Sequence, residues 1–166
     1  QELGVWEALF PGFRLGTSIE RRLHVLERFL PRARRAGVDF KGMEWVVGMA
    51  VVLAKSPPAV RFAAMDRLIL RPAERREMSL CFDCWPQVEQ FLGGKKNPRN
   101  SEIYLFFKPY GPAPLLFWMT CMKRWQSRRQ AVRHLLSWIP LRGELTGDDL
   151  VGMGLRGAEI GEVLQG

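Results

Sequence analysis

Apolar residues recur along this chain every three or four positions, the spacing of one face of an α-helix. Leu23, Leu26 and Leu30 follow this spacing, and the run 40–54 is apolar enough for a buried helix. No run alternates apolar and polar residues in the manner of a half-buried strand. The pattern predicts an all-α fold, an irregular bundle of about eight to ten helices with no significant sheet.

Capping and proline signals predict where several helices begin and end. Thr17 and Glu20 have the spacing of a capping box. Pro31 is expected to end the helix that follows them, because proline disrupts a helix interior. Pro58, directly after Ser56-Pro57, is typical of the first position of a helix.

The tryptophans are expected mainly in the core. Trp118 and Trp125 are seven residues apart with Met122 between them, the spacing of a core-facing stripe on a helix over 114–125. Trp45 lies inside the apolar run that precedes Lys55. Core packing is therefore favoured over base stacking for these rings.

Glycine, lysine and proline interrupt the helical pattern most clearly at 93–100. We expect a boundary between two helical lobes here, the first over 1–95 and the second over 96–166. The second lobe ends in a short helix-turn-helix motif. Thr146 can cap its first helix, Gly154 can end it, and the glycine-rich turn that follows could expose backbone amides to a phosphate.

The charge balance favours an anionic partner. The chain has 25 Lys and Arg residues against 17 Asp and Glu, a formal net charge of +8. A basic domain indicates nucleic acid first and an acidic membrane surface second. The apolar runs are too short to span a bilayer, and the chain opens on Gln1 without a signal-peptide pattern. We expect a cytoplasmic protein, no membrane partner and a further segment upstream.

Arginines at a spacing of four are the strongest functional signal. The pairs are Arg71 with Arg75, Arg124 with Arg128, and Arg129 with Arg133. Like charges on one helix face repel each other and destabilise the helix. Such a cluster of arginines is favourable only if an anion binds there. A solvated basic face, or pairing with nearby glutamates, is the alternative. The candidate RNA-binding residues are Arg32, Arg34, Arg35, Lys123, Arg124, Arg128, Arg129 and Arg133.

No catalytic or metal-binding constellation emerges from the residues. Cys81 and Cys84 have the spacing of a metal or redox pair, but the remaining Cys121 is distant and no further ligands complete a zinc site. Buried apolar cysteines are the preferred interpretation. His24 and His134 have no partner that would suggest a catalytic triad. No catalytic residue, metal or cofactor is predicted within this chain.

Two stretches together carry a family resemblance: 101–109 with the apolar helix at 114–122, and 145–164. They resemble the C-terminal helical region of bacterial tRNA nucleotidyltransferases of the poly(A) polymerase-like family, which includes CCA-adding and A-adding enzymes. In that family a Leu/Ile-Thr-Gly-x-Asp-Leu segment leads to Gly-Leu-x-Pro-Gly-x-x-Ile-Gly. Arg156 and Ala158 stand where proline is common. The matching positions are Thr146, Gly147, Asp149, Leu150, Gly154 and Gly157.

The resemblance implies a helical body and tail that hold tRNA largely through its backbone phosphates. The family's catalytic head carries a Gly-Ser-rich motif and an Asp-x-Asp pair that holds magnesium, and a Glu-Asp-x-x-Arg element selects the nucleotide. None of these motifs occurs here, so whether this chain is itself an enzyme stays open. The expected function is to hold tRNA while an N-terminal head adds nucleotides from CTP or ATP to its 3′ end. The alternative is a non-catalytic helical protein-interaction module with a basic face.

Overall fold

The computed structural model describes residues 16–93 and 98–139, and the regular structure in these ranges is entirely helical. This confirms the predicted all-α class. The described ranges contain eight α-helices and one short π-helix, and no strand. The helices are α1 Thr17–Arg35, α2 Glu44–Leu53, α3 Pro58–Arg67, α4 Pro72–Asp83, α5 Trp85–Gly93, α6 Asn100–Phe107, α7 Pro112–Cys121 and α8 Trp125–Arg133, and α8 continues into the π-helix His134–Trp138.

Helix α7 lies at the centre of the core. Every residue from Ala113 to Thr120 is buried. Its sequence is apolar all round, so it has no solvent-facing side, as expected of a helix surrounded by other helices. Helices α1, α2 and α4 pack against it, and so does α8. Pro112 occupies the first helical position, where its missing amide hydrogen leaves no helical bond unmade.

The side chain of Trp118 joins α7 to two neighbouring helices. Its ring is fully buried, and its Nε1–H donates a hydrogen bond of 2.9 Å to the carbonyl of Cys81 in α4. Phe107 of α6 stacks beside it at 6.2 Å between ring centroids, and Tyr110 meets it edge-on at 4.9 Å. The indole is therefore both packed and hydrogen-bonded, as a buried tryptophan requires.

Helices α1 and α2 also contribute to the core, but their apolar residues are distributed differently. Helix α1 is amphipathic and buries Ile19, Leu26 and Ala33, which are seven residues apart and lie on one face. Helix α2 is apolar on almost all sides and buries most residues between Val46 and Leu53. The sequence predicted this buried segment correctly, although the helix begins at Glu44 rather than at Phe40.

Both predicted boundaries of α1 are wrong. Gly16 is the N-cap, Thr17 is already helical, and no side chain caps the amides of the first turn. Pro31 lies inside the helix, which continues to Arg35. Because Pro31 is exposed, the carbonyl that loses its helical partner can be hydrated, and the interior proline costs less than it would in the core.

Two of the three tryptophans predicted in the core are instead on the surface. Trp118 is buried as expected, but Trp45 is 41% exposed and Trp125 is 70% exposed. The predicted helix over 114–125 ends at Cys121, and the backbone is extended at Met122 and Arg124 before α8 begins. The seven-residue spacing from Trp118 therefore crosses a helix break, so it no longer places Trp125 on the buried face.

The predicted division into lobes at residues 95 and 96 stays a prediction, because the segment 94–97 lies outside the described residues. Pro58 does begin α3, as predicted, with Pro57 as its N-cap. The end of α3 is unusual. Ile69 has φ of +47°, a left-handed conformation that is unfavourable for a β-branched side chain, and it is 88% exposed.

Replacing Trp118 by Phe should destabilise the fold by about 2–4 kcal/mol, through a lost hydrogen bond and a cavity beside α4. Urea unfolding followed by circular dichroism measures this change. Trp125→Phe, at a tryptophan that is 70% exposed, is the control and should stay within about 1 kcal/mol of the original chain. Equal losses in the two variants would contradict the central role of Trp118.

Ile69→Gly should stabilise the protein by about 0.5–1 kcal/mol, because relief of left-handed strain exceeds the added entropy of the unfolded chain. Val60→Gly is the matched control, at an exposed β-branched residue with helical geometry in α3, the helix that Ile69 follows. It should destabilise by about 1 kcal/mol. Thermal unfolding measures the stability of both variants. An equal loss of stability in the two would refute the strain at Ile69.

Candidate nucleic-acid interface

The first turn of α8 is held against the last turn of α5. The hydroxyl of Ser127 is buried and donates to the carbonyl of Leu92 at 3.1 Å. Arg124, the N-cap of α8, donates from Nη1 to the carbonyl of Gly93 at 3.0 Å. Carbonyls in the last turn of a helix have no partner within the helix, so these two bonds satisfy the end of α5 and fix the start of α8.

Other predicted RNA-binding arginines are also positioned by the protein. Arg128 is half-buried and donates from Nη2 to the carbonyl of Met122 at 2.7 Å. Arg133 reaches the side-chain oxygen of Asn100 at 3.4 Å. The guanidinium groups of Arg124 and Arg128 thus bond carbonyls on different segments. These bonds to carbonyl oxygens offset part of the repulsion expected from the spacing of Arg124 and Arg128.

Lys123 and Arg129 are different. Both are exposed, and within the described part of the chain neither side chain makes a hydrogen bond or an ion pair. Both lie at or near the anchored start of α8. The region therefore offers two uncompensated cations beside arginines whose positions are fixed, an arrangement that suits contacts with phosphates.

A cleft of about 660 Å³ opens between α5 and the start of α8. Leu92 and Met122 contribute apolar walls, while Lys123 and Arg124 supply cations. A second cavity of about 230 Å³ adjoins it, since Lys123 lines both. The cationic surface around α8 is therefore concave rather than flat.

Two arginines that line the second cavity, Arg22 and Arg61, were not among the RNA-binding residues predicted from the sequence. Arg61 donates to the carbonyl of Ala54 at 3.0 Å and lies over the ring of Phe82, with its central carbon 4.6 Å from the ring centroid. Partial burial lowers the pKa of this guanidinium. Arg22 comes from α1 and Arg61 from α3, so no local spacing could have paired them.

The electrostatic balance of this surface is positive. Among the described residues that line the second cavity, Arg22, Arg61 and Lys123 are accompanied by one carboxylate, that of Glu89, and the charge of Asp83 also acts on Arg61. The sequence carries a related signal, because no Asp or Glu occurs between Ile103 and Gly143. The cations of α8 therefore have no acidic neighbour in the sequence, although Glu89 of α5 lines both cavities together with Lys123. The excess of positive charge attracts polyanions.

The arginines at the end of α1 form a separate group. Arg34 is paired with Glu44, with 2.7 Å between Nη2 and Oε1, and this hydrogen bond lowers the pKa of that carboxyl group. Arg32 lies 5.6 Å from the ring centroid of Phe29, and Arg35 reaches the carbonyl of Pro31. Cations at a helix C-terminus also stabilise its dipole. Arg35 lies about 20 Å from Arg22 along the helix axis, so the end of α1 is distant from the part of the second cavity that Arg22 lines.

The pair at the start of α4 follows the alternative interpretation, pairing with carboxylates. The backbone amide and guanidinium of Arg71 both donate to Glu74. Arg75 is paired with Asp66, with 2.6 Å between Nη2 and Oδ1. Neither arginine is a free cation.

The cysteines are unpaired thiols with little access to solvent. Cys81 is fully buried, and burial raises the pKa of its thiol. Cys84 and Cys121 are partly buried and also free. In the described ranges, no three histidine, cysteine or carboxylate side chains come together as metal ligands. The preferred interpretation of Cys81 as a buried apolar residue is consistent with its position.

His134 is buried where α8 passes into the π-helix. Its ring lies 5.3 Å from that of Phe107 and 5.9 Å from that of Tyr104. Burial lowers the pKa of the imidazole to about 4. His134 is thus neutral at physiological pH and supports the aromatic packing behind α8, whereas His24 is exposed and lies 3.5 Å from Glu27.

The C-terminal motif falls outside the described residues, so its role as a fold element or phosphate site stays a prediction. The positions concerned are Thr146, Gly147, Asp149, Leu150, Gly154 and Gly157. Among the helices that the structure describes, none combines the length and apolar character needed to cross a bilayer.

The fold is similar to that of a solved structure, a CCA-adding enzyme in an apo form, with a TM-score of 0.61 and 19% sequence identity. The match covers 97% of this chain but 37% of the enzyme chain. This chain therefore has the helical fold of part of a CCA-adding enzyme, which confirms the resemblance at the level of fold. No protein-family model matches the sequence, and no curated protein matches it.

The pKa of His134 predicts a pH dependence of stability. The unfolded imidazole takes up a proton near pH 6.5 and the folded one near pH 4. Stability is therefore full above pH 6.5 and falls towards pH 4, by up to about 3 kcal/mol from this residue. Urea unfolding at several pH values should show the loss, and His134→Phe or His134→Gln should reduce it. His24→Gln is the control, and an equal flattening in that variant would refute the assignment to His134.

Proposed function

We propose that this chain is the RNA-holding helical portion of a tRNA nucleotidyltransferase. In this proposal it binds the phosphate backbone of tRNA while an N-terminal head domain adds nucleotides to the 3′ end. The observation that carries the proposal is the cationic surface at the start of α8. There Lys123 and Arg129, whose side chains make no hydrogen bond or ion pair with the described residues, lie beside anchored Arg124 and Arg128. The helical fold shared with part of a CCA-adding enzyme supports it.

In this proposal the two groups of cations, Arg124 with Arg128 and Lys123 with Arg129, contribute to RNA binding in different ways. The bonds from Arg124 and Arg128 to carbonyls fix their positions before RNA arrives, so less side-chain entropy is lost on binding. Within residues 16–93 and 98–139, no group occupies the side-chain donors of Lys123 and Arg129, so these donors are available to phosphate oxygens. Contacts of this kind recognise the shape and backbone of folded RNA rather than its sequence.

The chemistry of nucleotide addition is assigned to the head domain. Magnesium and the substrates ATP or CTP would bind there, since the proposal gives the helical portion no catalytic residue. The same proposal places the protein in the cytoplasm and gives it two partners, tRNA and its own head domain.

A protein-interaction module is the second candidate. It is favoured by exposed apolar side chains on and just after α3, namely Val60, Phe62 and Ile69. They belong to a different element from the α8 cations. Binding to RNA and binding to a protein can therefore be separated by variants of α3 and α8.

The chain should bind tRNA with an affinity that falls steeply as salt rises, because phosphate contacts release counterions. Lys123→Gln and Arg129→Gln should each lower the slope of log K against log salt concentration by about 1. Arg75→Gln removes the same charge from an ion-paired arginine and should leave the slope unchanged. Filter binding at several salt concentrations measures all four proteins.

Two results would count against the proposal. Absence of tRNA binding at low salt, or binding independent of salt, would exclude a phosphate-holding role and favour the protein-interaction module. Equal effects of Arg75→Gln and Arg129→Gln would exclude α8 as the specific interface and leave only a general effect of net charge.

A further inference from the structure

Trp125 is the most exposed of the tryptophans whose side chains the structure describes. It is 70% exposed, against 41% for Trp45 and full burial for Trp118. A tryptophan side chain carries a large apolar surface that is normally covered. Its exposure at the first position of α8 therefore needs an explanation other than packing within the described ranges.

The surroundings of Trp125 are cationic. Lys123 and Arg124 precede it directly, and Arg128 and Arg129 follow at three and four residues, which places them beside it on the helix surface. No acidic residue occurs in this part of the sequence, between Ile103 and Gly143. An apolar ring within a group of cations is unsuited to most apolar partners, whereas it matches a base flanked by phosphates.

The ring itself is uncovered. In the part of the chain that the structure describes, no aromatic ring packs on Trp125 and no guanidinium lies over it. The backbone beneath it is nevertheless fixed, since Arg124, Ser127 and Arg128 all bond carbonyls at or before the start of α8. A flat ring on an immobilised helix start can accept a base at little entropic cost.

We propose that the Trp125 indole stacks on an unpaired base of bound RNA while Lys123 and Arg129 contact the adjoining phosphates. This rests on the proposed function and adds to it a preference for RNA with an unpaired nucleotide at this contact. Stacking on an aromatic side chain tolerates any base, because every base has a π face. The site therefore recognises single-stranded character rather than sequence.

The test compares three RNAs with the full 166-residue chain: tRNA, a single-stranded oligonucleotide, and a blunt duplex of the same sequence and length. Fluorescence anisotropy gives the affinities. Trp125→Ala should weaken binding to the oligonucleotide by roughly 5- to 100-fold and leave duplex binding nearly unchanged. The salt slope should not change, because no cation is lost. Trp125→Tyr, which keeps a ring, should retain most of the affinity.

Trp45→Ala is the matched control, since Trp45 is also partly exposed but lies beside Glu44 in another helix. It should bind all three RNAs like the original chain. Tryptophan fluorescence gives an independent readout. Single-stranded RNA should quench the original chain more than Trp125→Phe, at concentrations that saturate both.

The outcomes separate this inference from the proposed function. Normal binding of the oligonucleotide by Trp125→Ala, with RNA binding otherwise intact, overturns base stacking and leaves the RNA-holding role standing. Equal weakening for single strand and duplex also overturns it, because Trp125 would then support the fold or a protein contact. Failure of the original chain to bind any of the RNAs overturns both.

Discussion

Complete burial of α7 is the constraint on which the rest of the structure depends. A helix without a solvent-facing side must be covered on all sides, so α1, α2, α4 and α8 are placed by the surface that it presents. Apolar contacts alone would tolerate small rotations of α7. The hydrogen bond from Trp118 to the Cys81 carbonyl adds direction, because an unpaired indole N–H would be costly in the core.

The candidate interface follows from the way the chain leaves this buried helix. At Met122 the backbone becomes extended, and within three residues the sequence passes from the core to an exposed tryptophan. The carbonyls left open at this turn and at the end of α5 accept bonds from Arg128 and Arg124. Carbonyls at a helix end lack a partner within the helix and need hydrogen-bond donors from elsewhere. Here the donors are arginine side chains, so the bonds that complete the helix ends also fix the positions of the cations.

The sequence predicted what depends on local pattern. The spacing of apolar residues and the positions of proline predict three features correctly: the apolar runs of α2 and α7, the proline start of α3, and the all-α class. It failed where tertiary context decides. Trp125 was assigned to the core because spacing cannot reveal a helix break. Arg22 and Arg61 line one cavity only because the tertiary fold brings residues of α1 and α3 to the same place. Arg34 is in the last turn of α1 and Glu44 begins α2. Their pairing depends on the conformation of the connection between the two helices, which the helical spacing of residues does not predict.

The central position of α7 also affects the order in which the chain can fold during synthesis. Helices α1, α2 and α4 leave the ribosome before α7, yet their buried residues pack against it. At ordinary elongation rates the interval between the end of α4 and the end of α7 is roughly 2–8 s. During that time Val47, Met78 and other core side chains lack their main partner. The nascent chain is therefore exposed to aggregation until α7 emerges, and a chaperone that covers apolar segments would act in this interval.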